Sequence, residues 1–246
     1  MGSGLTTVLR CGACLALLGA LDARAQTPAL RSFDALYEVR YKGIFGGTMQ
    51  FSLRAGPAVD QYVYSVEANP NWLGRLKVSA DARQSSQLRI DDGHVLPQHY
   101  QAEDGRRSTD EDSELRFDWS SHRLTGTVKS TAIDEPIDIG WHDYLSAQVA
   151  ILLALSKGEA LGTLHVMDEK KVRAFRYSQE GKDRRVFQGK EVEVLVLRSE
   201  GVDDPSLRIN RYWHAPELSF LPIAVERSRK GKVDLSLRLV ELKFLD

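Results

Sequence analysis

The sequence predicts a mainly β protein, a curled antiparallel sheet or incomplete β-barrel of about 11–13 strands with one central helix packed in its concave face. Short runs of alternating apolar and polar residues recur along the chain between turn residues, which is typical of strands in sequential hairpins. The one convincing helical segment, at about 143–157, is apolar nearly all round. Such a helix needs cover on every side, and in a β-rich chain a curled sheet provides it.

The first 25 residues predict a secretory signal peptide. Arg10 precedes a short apolar run over residues 11–21, and a small-x-small motif ends at Ala25, after which cleavage is expected. The run is too short to cross a bilayer, which takes roughly 20 apolar residues. The expected location of the mature chain, which would begin at Gln26, is therefore the periplasm, with no stable membrane span after cleavage.

Two other interpretations of this segment fit less well. A lipoprotein signal acylated at Cys14 would need the apolar run before that cysteine, whereas the run follows it. A retained anchor is disfavoured by Asp22 and Arg24 directly after the run. Because Cys11 and Cys14 are the only cysteines, the mature chain would have no thiol for a disulfide or a metal. Residues 26–246 contain no linker or repeat, and one β-rich domain is the simplest division.

The first half of the mature chain predicts about seven strands. In the first strand, Phe33, Ala35 and Tyr37 share one face while Asp34 and the other polar residues share the opposite face. Pro97 in the fifth strand indicates an edge or a bulge. The predicted strands are 33–41, 49–53, 62–68, 76–90, 95–101, 115–119 and 124–129.

The central helix has signals at both of its ends. Asp143 is the predicted N-cap, and Lys157 followed by Gly158 is the predicted C-terminal stop. Strands resume after the helix and continue to the end of the chain. Those predicted strands are 163–167, 171–177, 184–188, 191–198, 206–213, 221–228 and 233–243.

No constellation in the sequence predicts a catalytic, metal or cofactor site. The six histidines form no His-x-His or His-x-x-x-His pair, so zinc ligation is disfavoured. Ser146, Asp143 and His142 resemble parts of a triad, but Asp143 and Ser146 lie one helical turn apart, which favours a cap. Paired acids such as Asp91-Asp92 have turn composition and no calcium-loop pattern. A formal net charge of −1 disfavours nucleic acid as a partner.

Aromatic residues are concentrated in the first half and at the entry to the helix. An aromatic-rich packed core is the simpler interpretation. The functional interpretation is an apolar cavity for a lipid or an acyl chain, because curled sheets that leave internal space commonly hold such ligands. The candidate ligand-lining residues are Tyr37, Tyr41, Phe51, Tyr62, Tyr64, Phe117, Trp119, Trp141 and Tyr144.

Several short motifs, in their order, resemble a bacterial periplasmic family of unknown function, number 3108. They are Phe33-x-Ala-x-Tyr-x-Val-x-Tyr with Gly43 and Gly46-Gly47, Asp92-Gly93 with Pro97, Phe117-Asp118-Trp119, Asp143-x-Leu-Ser146, and Trp213 with Leu221-Pro222-Ile223. The resemblance covers nearly all of the mature chain and implies no catalytic residues. More distantly, the pattern is similar to carriers that move lipoproteins across the periplasm, which hold acyl chains in an incomplete barrel.

Two functional hypotheses follow. The first is a non-enzymatic periplasmic protein that binds a lipid-like or apolar ligand of the cell envelope, without a cofactor. The alternative is an interaction or assembly protein of the envelope with a packed interior, a protein partner and no small ligand. A hydrolase would need a polar pocket with a perturbed acid or base, which the sequence does not offer.

Overall fold

The computed structural model describes residues 30–76, 78–168, 171–205 and 208–245, so the expected signal peptide lies outside the described residues. These ranges contain one α-helix, α1 (Tyr144–Lys157), and fifteen strands. The strands are β1 (Ser32–Tyr41), β2 (Ile44–Ala55), β3 (Gln61–Pro70), β4 (Arg83–Asp91), β5 (His94–Glu103), β6 (Ser113–Asp118), β7 (Arg123–Val128), β8 (Thr131–Pro136), β9 (Trp141–His142), β10 (Thr163–Asp168), β11 (Lys171–Phe187), β12 (Lys190–Gly201), β13 (Arg208–His214), β14 (Pro222–Arg229) and β15 (Lys232–Leu245).

All of these strands belong to one sheet whose two edges approach each other. Its order is β8-β7-β6-β5-β4-β3-β2-β1-β15-β14-β13-β12-β11-β10-β9, antiparallel throughout except for the β9–β10 pair. Laid flat, fifteen strands would span about 65 Å at the usual spacing. However, only residues 137–140 join edge strand β8 to edge strand β9, and so short a segment spans at most about 18 Å. The sheet therefore curls without closing into a barrel.

Helix α1 lies inside this curl, as the sequence predicts. Asp143 caps it by accepting hydrogen bonds from the backbone nitrogens of Leu145 and Ser146, and Ser146 Oγ accepts one from Asp143 N in return. Gly158 ends the helix in the left-handed conformation, with φ 68°. Lys157 lies in the last turn, where a cation faces the negative end of the helix dipole. No helix in the described ranges is long and apolar enough to cross a bilayer.

The core joins both halves of the sheet through the helix. Leu145, Val149 and Leu152 pack in the large cluster that contains the aromatic residues of β1–β3. Ile151 and Leu155 pack in a second cluster with residues of β10–β12. The apolar surface of the helix is thus covered from both sides, which confirms the reason for placing it inside the sheet.

Three local features differ from the sequence prediction. The segment 76–82 was predicted as part of a long strand, but β4 begins only at Arg83, after a 3₁₀ turn at Gly74–Leu76. The two predicted strands 171–177 and 184–188 form the single strand β11, which is interrupted only by a register shift at Gly181. Strands β8 and β9 were not predicted, and the described part of the chain has fifteen strands, compared with the expected 11–13.

The prediction for Pro97 is resolved in favour of a bulge. Strand β5 pairs with both β4 and β6, so it is not an edge strand. The register of β4 and β5 shifts beside Pro97, where proline's missing N–H costs no ladder hydrogen bond.

Candidate functional site

The interior of the curled sheet has a packed half and an open half. The packed half is filled by α1, whose C-terminal Lys157 Nζ donates a 3.0 Å hydrogen bond to the carbonyl of Gly93 in the β4–β5 turn. The open half lies beside the N-terminal turns of the helix and beyond them, toward the β1–β2 and β14–β15 turns. Tyr144, the first helical residue, accepts a 2.8 Å hydrogen bond from Arg208 Nη2 at the start of β13, on the side of the open half.

The described residues line three chambers in the open half. The helix chamber, of about 400 Å³, lies between the first two turns of α1 and the sheet. The apolar chamber, of about 430 Å³, lies between the β1–β2 hairpin and the 3₁₀ turn after β3. The polar chamber, of about 450 Å³, is bordered by the segment that connects β5 to β6. Each volume is within the range of small-molecule sites, roughly 300–1,000 Å³.

The chambers adjoin one another because they share walls. Arg227 borders all three chambers. Tyr144 and Arg208 separate the helix chamber from the polar chamber, and Met49 and Leu235 separate it from the apolar chamber. A ligand in one chamber would therefore be close to the next.

Arginine supplies the charge of the helix chamber and of the apolar chamber. Among the described residues that line them, Arg208 and Arg227 are the only charged side chains. Arg227 is held by Asp234, whose two carboxylate oxygens accept hydrogen bonds of 2.9 and 3.0 Å from its guanidinium. Burial by itself would raise the pKa of Asp234, but the hydrogen bond from Arg227 and the charges of Arg227 and Arg229 lower it. Asp234 thus remains ionised and fixes Arg227 at the junction of the chambers.

Tyrosines and amides supply the neutral polar groups of the helix chamber. Tyr64 donates a 3.2 Å hydrogen bond to Gln148 Oε1 of the helix, and Tyr37 donates one of 2.7 Å to the Pro222 carbonyl. The rings of Tyr37 and Phe51 pack edge to face with centroids 5.2 Å apart. Burial raises the pKa of both Tyr37 and Tyr64. These hydroxyls therefore act as neutral donors in a wall that is otherwise mostly apolar.

The cluster at the start of α1 caps the helix. Asp143 is buried and accepts a 2.7 Å hydrogen bond from Ser86 Oγ in addition to its two backbone donors. Burial raises the pKa of Asp143, and these hydrogen bonds oppose the rise. Ser146 Oγ donates to the carbonyl oxygen of Asp143 at 3.3 Å, so it belongs to the capping box and is not aligned with His142 as a nucleophile would be.

The described histidines lie in different parts of the sheet, except that His142 and His165 are on the adjacent strands β9 and β10. Burial, with a smaller effect from the charge of His165, lowers the pKa of His142 to about 4. His99 Nε2 lies 3.0 Å from Glu114 Oε1, while His94 is exposed at the end of its strand. In the described ranges no group of three or more His, Cys, Asp or Glu side chains is arranged to hold a metal ion.

The structure distributes the nine candidate lining residues between the two halves. Tyr37, Phe51, Tyr64 and Tyr144 line the helix chamber, and Tyr41 lines the apolar chamber. The other four pack elsewhere.

Those four residues have structural contacts of their own. Tyr62 is buried in the main core. Phe117 and Trp119 stack with ring centroids 6.2 Å apart, and the indole of Trp119 donates a 2.6 Å hydrogen bond to the Pro97 carbonyl. Trp141 stacks on His165 at 5.8 Å. None of the four borders a chamber among the described residues.

Sequence reasoning missed Arg208 and Arg227, although a signal for Arg227 was present. Along β14, Val225 and Arg227 share a face because side chains alternate across a strand, and both line the helix chamber. Along β13, Arg208, Asn210 and Tyr212 share a face in the same way. Extending the apolar face of Ile223 and Val225 to the end of β14 would have placed Arg227 inside. The face of β13 that carries Arg208 is largely polar and gave no such signal.

Comparisons with known proteins concern the family and the fold. A family model described as "Protein of unknown function (DUF3108)" matches residues 36–238. The crystal structure of a β-barrel-like protein of domain of unknown function DUF1849 from Brucella abortus matches with a TM-score of 0.55 and 12% identity, over 88% of this chain and 99% of that one. At this identity the likeness shows the fold alone.

A second solved structure is less similar. It is a putative exported protein with a YmcC-like fold from Bacteroides fragilis NCTC 9343, with a TM-score of 0.35 and 8% identity, over 88% of this chain and 97% of that one. A search of curated proteins gives no match.

Proposed function

The chain belongs to the DUF3108 family, whose function is unknown, and we propose that it is a periplasmic, non-enzymatic protein that binds a lipid-like ligand of the cell envelope in its open half. The observation that carries the proposal is the helix chamber with the adjoining apolar chamber. Their described walls are mostly aliphatic and aromatic, and Arg208 and Arg227 are their only charged side chains. This combination suits an amphiphile with an apolar chain and an acidic head, because a guanidinium pairs well with carboxylate or phosphate.

Two further observations support binding over catalysis. The buried titratable groups Asp143 and His142 lie outside the lining of all three chambers. The described lining of the helix chamber contains no Ser, His, Asp or Glu, which are the usual nucleophiles and bases. Its polar groups are tyrosines, amides and arginines, and these can orient a ligand.

The first test is direct recovery of the ligand. The protein is purified without detergent from cells of a Gram-negative host, and the bound molecules are identified by native mass spectrometry and solvent extraction. We expect an acidic lipid or fatty acid in stoichiometric amount. Protein free of lipid, with no uptake of added acyl chains, would favour the alternative of a packed envelope assembly protein. The same purification tests the location, because the periplasmic form should begin at Gln26.

The second test separates the cavity from nonspecific adsorption. Val225→Phe narrows the helix chamber, whereas Val63→Phe makes the same change on β3 at a half-buried position outside the chamber lining. We expect Val225→Phe to weaken binding of a fluorescent fatty acid about tenfold, because the added ring removes space for the chain. Equal effects of the two variants would place the probe outside the chamber.

The third test concerns the acidic head. Arg208→Gln is compared with Arg211→Gln, a residue of the same strand that points outward and pairs with Glu180 at 2.7 Å. Loss of Arg208 should weaken binding of a fatty acid about tenfold, in keeping with a charge-assisted hydrogen bond, and leave binding of the fatty alcohol nearly unchanged. An equal loss for acid and alcohol would contradict recognition of the head by this arginine.

A further inference from the structure

Exposed apolar side chains are concentrated at one end of the sheet. We name this surface the apolar rim, and it consists of Tyr41, Ile44, Phe45, Trp72, Leu76 and Val78. These are six of the eleven exposed large hydrophobic residues in the described part of the chain, and Trp72 and Leu76 are 75% and 74% exposed. Single exposed apolar residues are ordinary on a protein surface, whereas a contiguous group marks an interaction site.

The apolar rim is held in a defined conformation. Asn71 N donates to the carbonyl of Gly46 and Asn71 Nδ2 to the carbonyl of Phe45, both at 2.9 Å. Gly74 N donates to Asn71 Oδ1 at 2.8 Å. A Cβ at Gly74 would overlap the Gly46 carbonyl oxygen, so only glycine allows the 3₁₀ turn to lie this close to β2. Trp72 and Leu76 therefore project from an anchored loop.

Cations border the rim at the β1–β2, 3₁₀ and β14–β15 turns. The sequence stretches 39–49 and 70–78 contain no Asp or Glu, while Lys42 and Arg75 are exposed within them. The β14–β15 turn is adjacent, because Lys42 N donates to the Asp234 carbonyl at 2.9 Å, and it adds exposed Lys230 and Lys232. The carboxylate of Asp234 is itself paired with Arg227. The surface beside the β1–β2 and β14–β15 turns is thus positive, whereas Val78, at the other end of the rim, borders the polar chamber together with Glu103, Asp104 and Glu111.

We infer that the apolar rim docks on an anionic lipid surface, with its aromatic and aliphatic side chains inserted among the acyl chains and its cations among the head groups. Exposed apolar side chains bordered by Lys and Arg are the arrangement that binds such an interface. The rim is also continuous with the cavity, since Ile44, Phe45 and Leu76 line the apolar chamber. Docking would turn the mouth of that chamber toward the bilayer. Docking on the lipid surface does not depend on the proposed ligand of the cavity, and vesicle binding and ligand binding are measured separately.

The experiment is sedimentation of the purified protein with vesicles, together with tryptophan fluorescence. We expect binding to vesicles of phosphatidylglycerol and phosphatidylcholine, little binding to phosphatidylcholine alone, and weaker binding as the salt is raised from about 0.05 M to about 0.5 M. Of the four tryptophans, Trp72 is the exposed one, so its insertion should shift the emission to shorter wavelength. Absence of binding to the anionic vesicles, or equal binding to both vesicle types, would overturn the inference.

Matched variants locate the contact. Trp72→Ser with Leu76→Ser should weaken vesicle binding at least about tenfold, because two apolar side chains no longer enter the interface. The control is Val59→Ser with Val186→Ser, at positions 91% and 73% exposed and away from the rim. It should bind as the unmodified protein does. Equal binding by the two double variants would overturn the inference.

The charge contribution is tested separately. Lys42→Gln should weaken binding to anionic vesicles about fivefold, the effect of one cation near such a surface. Lys190→Gln, at the exposed β11–β12 turn, is the control and should change vesicle binding less than about twofold.

Trp72 does not line a chamber, so Trp72→Ser should retain binding of the fluorescent fatty acid. Loss of vesicle binding with retained fatty-acid binding supports docking on a lipid surface. If the rim binds a protein and the unmodified chain does not bind vesicles, the inference is overturned.

Discussion

The packed half and the open half are built from the same strands, yet they use their inward positions differently. Around α1 the inward side chains are apolar and buried, such as Leu88 at 1% exposure. In the open half the same alternation places Gln84, Arg208 and Arg227 inside, where they border empty space. Polar and charged groups therefore occur inside the sheet around the N-terminal turns of the helix and beyond them.

This difference teaches which half stabilises the fold and which half is available for binding. Apolar burial around the helix stabilises the fold, because closely packed side chains make many favourable contacts. Shortening one of these side chains removes part of those contacts. A guanidinium inside an apolar wall costs free energy of desolvation unless it is compensated, and here Asp234 compensates Arg227. Substitutions in the two halves should therefore differ in their effects on stability.

Among single substitutions, the largest effect is expected in the packed half. Leu153 is 2% exposed, and Leu153→Ala should lower the free energy of unfolding by about 3 kcal/mol, because it leaves a void beneath the helix. Leu237→Ala, in the wall of the helix chamber, should cost about 1 kcal/mol, since that side chain already borders space. Urea unfolding of both variants measures the difference. Equal losses would contradict the division into two halves.

Acid should weaken the fold through buried histidines. Burial lowers the pKa of His142 and of His214 to about 4, from an ordinary value of 6.5. The unfolded chain takes up these protons near pH 6.5, but the folded chain only near pH 4, so stability is complete above that window and declines as the pH falls through it. At pH 4 the loss should approach about 3 kcal/mol for each histidine.

Thermal unfolding between pH 7 and pH 4 measures this decline. His142→Gln should make the unfolding temperature depend less steeply on pH, because it removes one of the two buried histidines. His122→Gln is the matched control, since His122 is exposed at the β6–β7 turn. A profile for His142→Gln as steep as that of the unmodified protein would show that His142 is not responsible.

The cap of the helix should have an intermediate effect. Asp143→Ala removes the acceptor for two backbone nitrogens and for Ser86 Oγ, and should cost about 2 kcal/mol. Asp143→Asn keeps a side-chain oxygen and should cost less. Circular dichroism during urea unfolding measures both variants. The assignment of this carboxylate as a cap fails if Asp143→Ala is as stable as the unmodified protein.

The smallest effect on stability is expected at the apolar rim. Leu76→Ser should change the free energy of unfolding by less than about 0.5 kcal/mol, because the side chain is 74% exposed and buries little area on folding. The same variant combined with Trp72→Ser is expected to lose vesicle binding. A large loss of stability would indicate that the rim belongs to the core.

Much of the fold could be predicted from local patterns. The alternation in β1, the Asp143 cap and the Gly158 stop were each visible in the sequence and are confirmed. The prediction of a strand over residues 76–82 is wrong. Its small alternating residues resemble a strand, but Asn71 and Gly74 hold the preceding 3₁₀ turn against β2, and the next strand starts later. That anchoring is a contact between distant segments, which a local pattern does not contain.

The candidate site was only partly visible. Aromatic enrichment indicated Tyr37, Phe51 and Tyr64, which line the helix chamber, but it also indicated Trp119 and Trp141, which pack elsewhere. Composition reports which side chains are apolar, and both a core and a cavity wall need such side chains. The two arginines were overlooked because a charged residue at the end of a strand is usually exposed.

The sequence by itself determined the periodicity of the strands, the position and caps of the helix, and the need to cover that helix on both sides. These follow from side-chain geometry within one element, which has a period of 2 in strands and 3.6 in helices. Only the tertiary structure decided how far the helix fills the sheet. The pairing of β1 with both β2 and β15, and the short 137–140 connection, set the curvature and leave the open half unfilled. Empty space arises from the relative placement of elements, so it leaves no local pattern in the chain.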